Sequence, residues 1–280
     1  MQKMLLLFTL TCWLARPSSA QAIKTPSPSA PQFVRQDFGL STIELSYSRP
    51  DVKGRKIFGD LVPFGKIWRT GANQATTLNF GDTVSIGGTT LPPGKYGLLS
   101  IPGENEWTII ITHQTDVTNA AAYKPEQDVV RIQATVNHLP FSVESFMIIF
   151  ADLTSNSCNL QLIWDNTEVG FPISINTDAR VMTQIDNVLN KDSRPYYTAA
   201  FYYLENGKDL NKALEWFDKA IQQDPTAGSF FIVYQKARCL AKLGRKQEAI
   251  ATAKKSIELA QQANNADYVA LNQKLIASLQ

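Results

Sequence analysis

The side chains best suited to chemistry with a ligand lie in one stretch between positions 49 and 74. It gathers guanidinium, ammonium, indole and amide groups among glycines: Arg49, Lys53, Arg55, Trp68, Arg69, Asn73 and Gln74. A guanidinium beside an indole can stack on a ligand or hold an anionic or hydroxyl-rich group, and the amides can exchange hydrogen bonds with sugar-like hydroxyls. The stretch therefore predicts a ligand-binding surface. The alternative is that these groups only satisfy backbone carbonyls where strands leave a sheet.

The sequence shows no assembled catalytic constellation. A G-x-S-x-G elbow and a phosphate-binding G-x-x-x-x-G-K loop are both absent. His113 and His138 lack the spacing of metal ligands, so we expect no metal, no cofactor and no catalytic residue. The alternative is a hydrolase of envelope or imported polysaccharide, which needs two carboxylates beside a sugar. Candidates are present, but nothing pairs two of them: Glu104, Glu106, Asp128, Asp152, Asp165 and Glu168.

The elements that must position these side chains have a β pattern from Phe33 to about Ile175. Apolar and polar residues alternate over 42–48 and 130–137, which indicates strands with one buried face. Residues 146–150 are apolar throughout, which favours a strand covered on both faces. Gly87-Gly88 predicts a two-residue hairpin. About eight or nine strands are expected, and they predict an all-β antiparallel sandwich, jelly-roll or immunoglobulin-like.

From about Asn176 the apolar period becomes 3.6 residues, which predicts five or six helices. Asp209 precedes one apolar stripe and is the expected N-cap of that helix. Small residues recur around Ala213 and again around Ala249, an offset of 36 positions (249 minus 213) that is close to the tetratricopeptide period of about 34.

Residues 194–263 therefore resemble tetratricopeptide repeats, with helices at 178–191 and 266–279 as caps. In such repeats the first helix of each pair lines a concave groove. By that register, we expect Tyr202, Tyr234 and Arg238 to face a protein or peptide partner. The alternative is that these three side chains pack against the sandwich or a neighbouring helix.

The N-terminus predicts export. Lys3 precedes an apolar run of about ten residues, half of what a bilayer span needs. Small residues follow, so residues 1–20 are interpreted as a signal peptide cleaved after Ala20 or Ala22. Residues 21–32 are rich in Pro, Ser and Ala and predict an extended linker. The expected divisions of the mature chain are a sandwich at 33–176 and a helical domain at 177–280, without a membrane span. The expected location is periplasmic or extracellular.

Composition excludes some classes of protein. With 44% hydrophobic and 19% charged residues the chain is typical of globular proteins. A net charge of +2 over 280 residues gives no reason to expect a nucleic-acid partner. Cys158 and Cys239 fall in different predicted domains, which favours two buried free thiols and leaves a bridge as the alternative.

A family resemblance is carried by three runs of sequence: SYSRPDVKGRKIFGDLVPFGKIWRTGANQATTLNF, LPPGKYGLLSIP and EWTIIIT. Residues 33–175 resemble the family called domain of unknown function 2911, exported proteins of Bacteroidetes-type bacteria. The chain has Gln74 where members often carry Glu. The resemblance implies an exported β-domain and no particular activity. The sequence thus favours a non-enzymatic exported binding protein that recruits a protein partner through its repeats and binds a glycan or small polar ligand on its sandwich. A purely structural envelope module is a further alternative.

Overall fold

A computed structural model describes residues 25–189 and 195–280, which form two compact units divided between Asn176 and Thr177. The predicted signal peptide lies outside the described residues. The first strand begins at Ala30, inside the range 21–32 for which a linker was expected. Residues 30–32 join it because they pair with 47–49 of the next strand. Pro31 is tolerated there since this strand forms an edge of the sheet.

Nine antiparallel strands build the first unit: β1 (Ala30–Phe38), β2 (Ser41–Arg49), β3 (Thr77–Phe80), β4 (Val84–Ile86), β5 (Thr89–Leu91), β6 (Gly94–Ile101), β7 (Glu106–Thr112), β8 (Asp128–Ala151) and β9 (Ser157–Ser174). They pair in the order β1-β2-β3-β6-β7-β8-β9-β4-β5. The first part of β8 pairs with β7, and residues 136–151 pair with β9. Side chains from both layers, such as Leu45, Ile109 and Leu162, share one core. The prediction of an antiparallel sandwich is confirmed.

The strands covered on both faces differ from the prediction. In the run 146–150, Phe146 and Ile148 enter the core, but Ile149 is 39% exposed, so that prediction is wrong. Strands β6 and β7 are covered on both sides instead. Leu99 and Ile110 point away from the main core and are buried against Val117 of the following loop. Ile110 therefore breaks the polar–apolar alternation of β7.

The Gly87-Gly88 hairpin is confirmed. Both glycines have positive φ, 56° and 79°, and they join β4 to β5. A side chain at either position would be strained, which explains why two glycines are used here.

Six α-helices occupy the described part of the second unit: α1 (Asp178–Leu189), α2 (Tyr196–Glu205), α3 (Leu210–Gln223), α4 (Phe230–Lys242), α5 (Lys246–Gln262) and α6 (Ala266–Leu279). The Asp209 carboxylate caps α3 by accepting hydrogen bonds from the backbone N–H groups of Asn211 and Lys212, as predicted. Within the described residues, no helix combines the length and apolar character needed to cross a membrane.

Small side chains let the helices of the second unit approach closely. Ala213, Ala249 and Ala253 are fully buried, and Ser256 donates a 2.8 Å hydrogen bond from its Oγ to the backbone oxygen of Phe230. Asn272 of α6 in turn donates to the Ser256 Oγ at 2.9 Å. These contacts connect α4, α5 and α6 into one array.

Candidate functional site

The stretch with the predicted ligand-binding side chains forms a long segment, residues 50–76, between β2 and β3. Hydrogen bonds fix it to strands on both sides. The Trp68 and Ser100 backbones exchange two bonds of 2.8 and 3.0 Å, which attach it to β6. The Phe146 N–H donates to the Pro50 oxygen at 2.8 Å, which attaches it to β8. The segment is therefore a fixed part of the sandwich.

Trp68 fills the core beneath this segment. Its ring centroid lies 5.2 to 6.0 Å from those of Phe58, Trp107, Phe146 and Trp164. Its indole N–H donates to the Gly71 oxygen at 3.0 Å, so the polar atom is satisfied inside the protein. The indole is 9% exposed. Its chief contribution is therefore packing within the core.

Two arginines line a cavity of about 280 Å³ beside Trp68 and Trp164, which we call the arginine cavity. Arg69 donates from Nη1 to the Thr118 oxygen at 2.8 Å, while its buried Nε has no hydrogen-bond partner in the described structure. Arg55 donates from Nε to the Val52 oxygen at 3.1 Å. Loop carbonyls thus hold both guanidinium groups at the cavity.

The other four predicted ligand-binding residues do not line the arginine cavity. Arg49 donates from Nε to the Phe146 oxygen at 3.0 Å, and Lys53 pairs with Asp51 at 3.2 Å between Nζ and Oδ2. Asn73 donates from Nδ2 to the Ser29 oxygen at 3.0 Å, which holds the N-terminal segment. Gln74 is exposed. The structure brings together Arg55, Trp68 and Arg69.

A second cavity, of about 340 Å³, gathers residues that sequence reasoning did not connect. Glu104, His138 and Asp165 lie in its wall, beside the aromatic rings of Phe58 and Trp107. The sequence offered six carboxylates without a pair, and two of them, Glu104 and Asp165, line this cavity. Asp165 has a φ of 52°, a left-handed conformation that Asp adopts more readily than most residues. In the described residues, no group of three or more His, Cys, Asp or Glu side chains is arranged to hold a metal ion.

In the helical unit, half-buried aromatic rings on α2, α4 and α6 form a continuous row. Tyr197 lies 5.1 Å from Phe231, and Phe230 lies 4.9 Å from Tyr268, measured between ring centroids. Tyr234 reaches Tyr268 at 5.5 Å. Phe201 extends the row along α2, stacked at 5.9 Å on Tyr197. We call these six residues the aromatic row.

The three predicted groove residues have different surroundings. Tyr234 belongs to the aromatic row. Arg238 donates to Glu205 Oε1 at 2.8 Å. Burial raises the pKa of the nearby Tyr197 phenol, and the positive charge of Arg238 partly opposes that rise. Tyr202 donates instead to Asp178 of α1 at 2.9 Å, and burial together with this contact raises its pKa to about 12.

Sequence reasoning did not identify Tyr197, Phe201 and Phe231 as part of this face. The signal for the first two was their spacing of four residues within α2, which places both on one side of a helix.

Two family models match separate parts of the chain. A family model described as a protein of unknown function (DUF2911) matches residues 29–173, and a tetratricopeptide repeat model matches residues 232–262, which span most of α4 and all of α5. Both resemblances inferred from the sequence are confirmed. No curated protein and no solved structure matches the chain.

Proposed function

The chain belongs to the DUF2911 family of proteins of unknown function, and we propose that this member is an exported, non-enzymatic binding protein whose helical repeats hold a protein partner. Tetratricopeptide repeats stack into arrays with extended concave binding surfaces. The observation that carries the proposal is the aromatic row on α2, α4 and α6. These helices occupy the positions of first helices in successive pairs, the positions that line the groove.

The chemistry of the row favours an apolar peptide segment of a partner protein. Half-buried Tyr and Phe rings offer a large contact area, and they lose little conformational freedom because their neighbours already hold them. Aromatic and Arg side chains are also the common energetic centres of protein interfaces. Arg238 lies beside the row and forms an ion pair with Glu205, which largely balances its positive charge. It would therefore offer a partner polar contacts rather than a strong positive field.

Photo-crosslinking in the source organism tests the proposal. A photoreactive phenylalanine analogue replaces Tyr234 in the full chain, and a matched control carries it at exposed Ala251 on α5. We expect one partner protein to crosslink from position 234 and not from 251. The purified partner should then bind wild type about tenfold more tightly than the Tyr234→Ala variant. Equal labelling from both positions, or equal affinity of both proteins, would contradict the proposal.

A finer proposal concerns the arginine cavity of the sandwich. Arg69 has a buried Nε–H without an acceptor, and an unsatisfied donor of this kind costs about 1–3 kcal/mol. Arg55 adds a second guanidinium to the same wall. A ligand with a carboxylate or phosphate group suits this arrangement. The test is titration with acetate and inorganic phosphate, followed by backbone NMR shifts at 55–72. If no backbone resonance of residues 55–72 shifts with either anion at about 10 mM, the site is rejected.

Export is the remaining part of the proposal, supported by the apolar run and the small residues that follow it. N-terminal sequencing of the protein recovered from the periplasm or medium should give Gln21 or Ile23 as the first residue. A chain found only in the cytoplasm with Met1 retained would contradict it.

A further inference from the structure

The second cavity, which we call the β-bulge cavity, lies where a long segment, a turn and a pair of strands of the sandwich come together. The segment 50–76 supplies Lys56, Phe58 and Phe64, the turn between β6 and β7 supplies Glu104, and the paired strands β8 and β9 supply His138 and Asp165. Its volume of about 340 Å³ falls in the lower range of small-molecule sites. Residues far apart in sequence therefore converge on a space that could hold one small ring.

An irregularity in the pairing of β8 with β9 shapes this cavity. His138 lies opposite Thr167 and Val143 lies opposite Asp165, so the four residues between His138 and Val143 face Asn166 alone. Bulges of this kind turn side chains out of the regular alternation and are common beside binding sites. Asp165 adopts a φ of 52° at this point and accepts a 2.8 Å hydrogen bond from the Ser142 Oγ. The carboxylate is thus fixed in the cavity wall by backbone and side chain together.

The wall has an apolar side and a polar side. Phe58, Phe64 and Trp107 supply aromatic surface, with Phe58 and Trp107 in edge contact at 4.9 Å between centroids. Carboxylates, an imidazole, a hydroxyl, an amide and one ammonium group complete the lining: Glu104, Asp165, His138, Thr167, Asn166 and Lys56. Hydrogen-bond donors and acceptors therefore lie beside flat aromatic faces. Such a lining suits a ligand ring that has C–H groups on its faces and hydroxyl groups at its edge.

Trp107 gives an independent sign of a missing partner. The side chain is 1% exposed, it lines the cavity, and its indole N–H has no acceptor within the described residues. Buried indole N–H groups usually find a partner. The wall of the cavity therefore includes a side chain whose donor is left without a partner by the described residues.

We infer that the β-bulge cavity binds a neutral monosaccharide, with the sugar ring against Phe58, Phe64 and Trp107 and its hydroxyls bonded to Glu104 and Asp165. Two carboxylates against one lysine disfavour an anionic ligand, whereas ionised carboxylates are strong acceptors for sugar hydroxyls. The inference adds a ligand class and a location that the repeat-based function does not require.

Binding of a defined sugar panel tests the inference. The full mature chain is titrated with glucose, galactose, mannose and N-acetylglucosamine, and saturation-transfer NMR and tryptophan fluorescence report binding. Glu104→Gln and Asp165→Asn remove one charge each. Asn tolerates positive φ and still accepts from Ser142, so the second change preserves the backbone. Glu106→Gln is the matched control, since Glu106 is exposed two positions further along and does not line the cavity.

At least one sugar should bind with a dissociation constant at or below about 10 mM. Each cavity variant should weaken that binding about tenfold, while Glu106→Gln leaves it unchanged. Two results overturn the inference: no sugar in the panel binds, or a sugar binds equally well to wild type and to both cavity variants. Unaltered circular dichroism of the variants separates a lost ligand contact from a lost fold.

Discussion

The indole rings of Trp68 and Trp164 stack with their planes 17° apart and their centroids 5.9 Å apart. Trp68 belongs to the segment 50–76, and Trp164 belongs to β9. The pair therefore joins a connection between strands to the opposite layer of the sandwich. The same contact explains why Trp68 belongs to the core although it lies in a connecting segment.

We expect Trp68→Ala to destabilise the sandwich by about 3–5 kcal/mol, because a large buried ring is lost and a cavity remains. Urea unfolding followed by far-ultraviolet circular dichroism measures the change. Leu61→Ala is the control from the same segment, and since Leu61 is 45% exposed its cost should stay within about 0.5 kcal/mol. Equal midpoints for the two variants would show that Trp68 does not hold the segment.

We expect any side chain at position 71 to destabilise the sandwich. The φ of Gly71 is 150°, and an added Cβ would lie 3.0 Å from the Ser48 oxygen and 3.1 Å from Thr76 Oγ1. Gly71→Ala should cost about 1–3 kcal/mol more than Gly65→Ala. Gly65 also has positive φ, 69°, but open space around it, so it is a control that lacks the close approach. Thermal unfolding of both variants provides the comparison, and equal melting temperatures would contradict the close approach.

The Asp178 carboxylate should make the helical unit sensitive to acid. Hydrogen bonds from Lys208 and then Tyr202 lower its pKa below the ordinary 3.8. A carboxyl group with a lowered pKa stabilises the fold above its ordinary pKa, and the contribution disappears as pH falls through the lower value. Asp178→Asn should therefore be less stable than wild type at pH 7 and no different near pH 2, by chemical denaturation.

Glu258→Gln on the exposed side of α5 is the control for that experiment, and its difference from wild type should not follow the same pH profile. A stability difference for Asp178→Asn that persists unchanged to low pH would show that the hydrogen bonds do not depend on the charge.

Because α5 packs closely against its neighbours, we expect the effect of a larger side chain on stability to depend strongly on its position along this helix. Ala253 is fully buried in the array, so Ala253→Leu should destabilise it by about 1–3 kcal/mol. Ala251 lies on the same helix and is exposed, so Ala251→Leu should change stability little. Guanidinium unfolding of the two variants measures the difference, and a well-tolerated leucine at 253 would mean that the helices do not pack as closely as described.

Local patterns predicted much of this fold. Gly87-Gly88, the Asp209 cap and the recurring alanines each act through neighbours a few residues away, so the sequence alone was enough to identify them. Ile110 and Ile149 were harder, because their burial depends on whether a distant loop covers the strand. Loop residues near Val117 cover the first, and nothing in the described structure covers the second to the same degree.

The sites were less predictable for a related reason. Trp68 and Arg69 are adjacent in sequence and looked like one exposed surface, yet the Trp68 ring is buried in the core and Arg69 is bound to a loop carbonyl. What the two residues share is the wall of the arginine cavity. Glu104 and Asp165 are separated by the whole of β7 and β8, yet both line one cavity, beside the irregular pairing of β8 with β9. The spacing of residues along the chain does not predict that two such distant side chains line the same cavity.

Strand β8 has a consequence for how the sandwich comes apart. One strand provides the hydrogen-bonding partner for β7 at its start and for β9 beyond it, on both sides of the irregular pairing near Asp165. Unfolding of either layer therefore disturbs a strand to which the other layer is also hydrogen-bonded. We therefore expect the first unit to lose its structure in a single cooperative event, with forms that keep one intact layer scarcely populated.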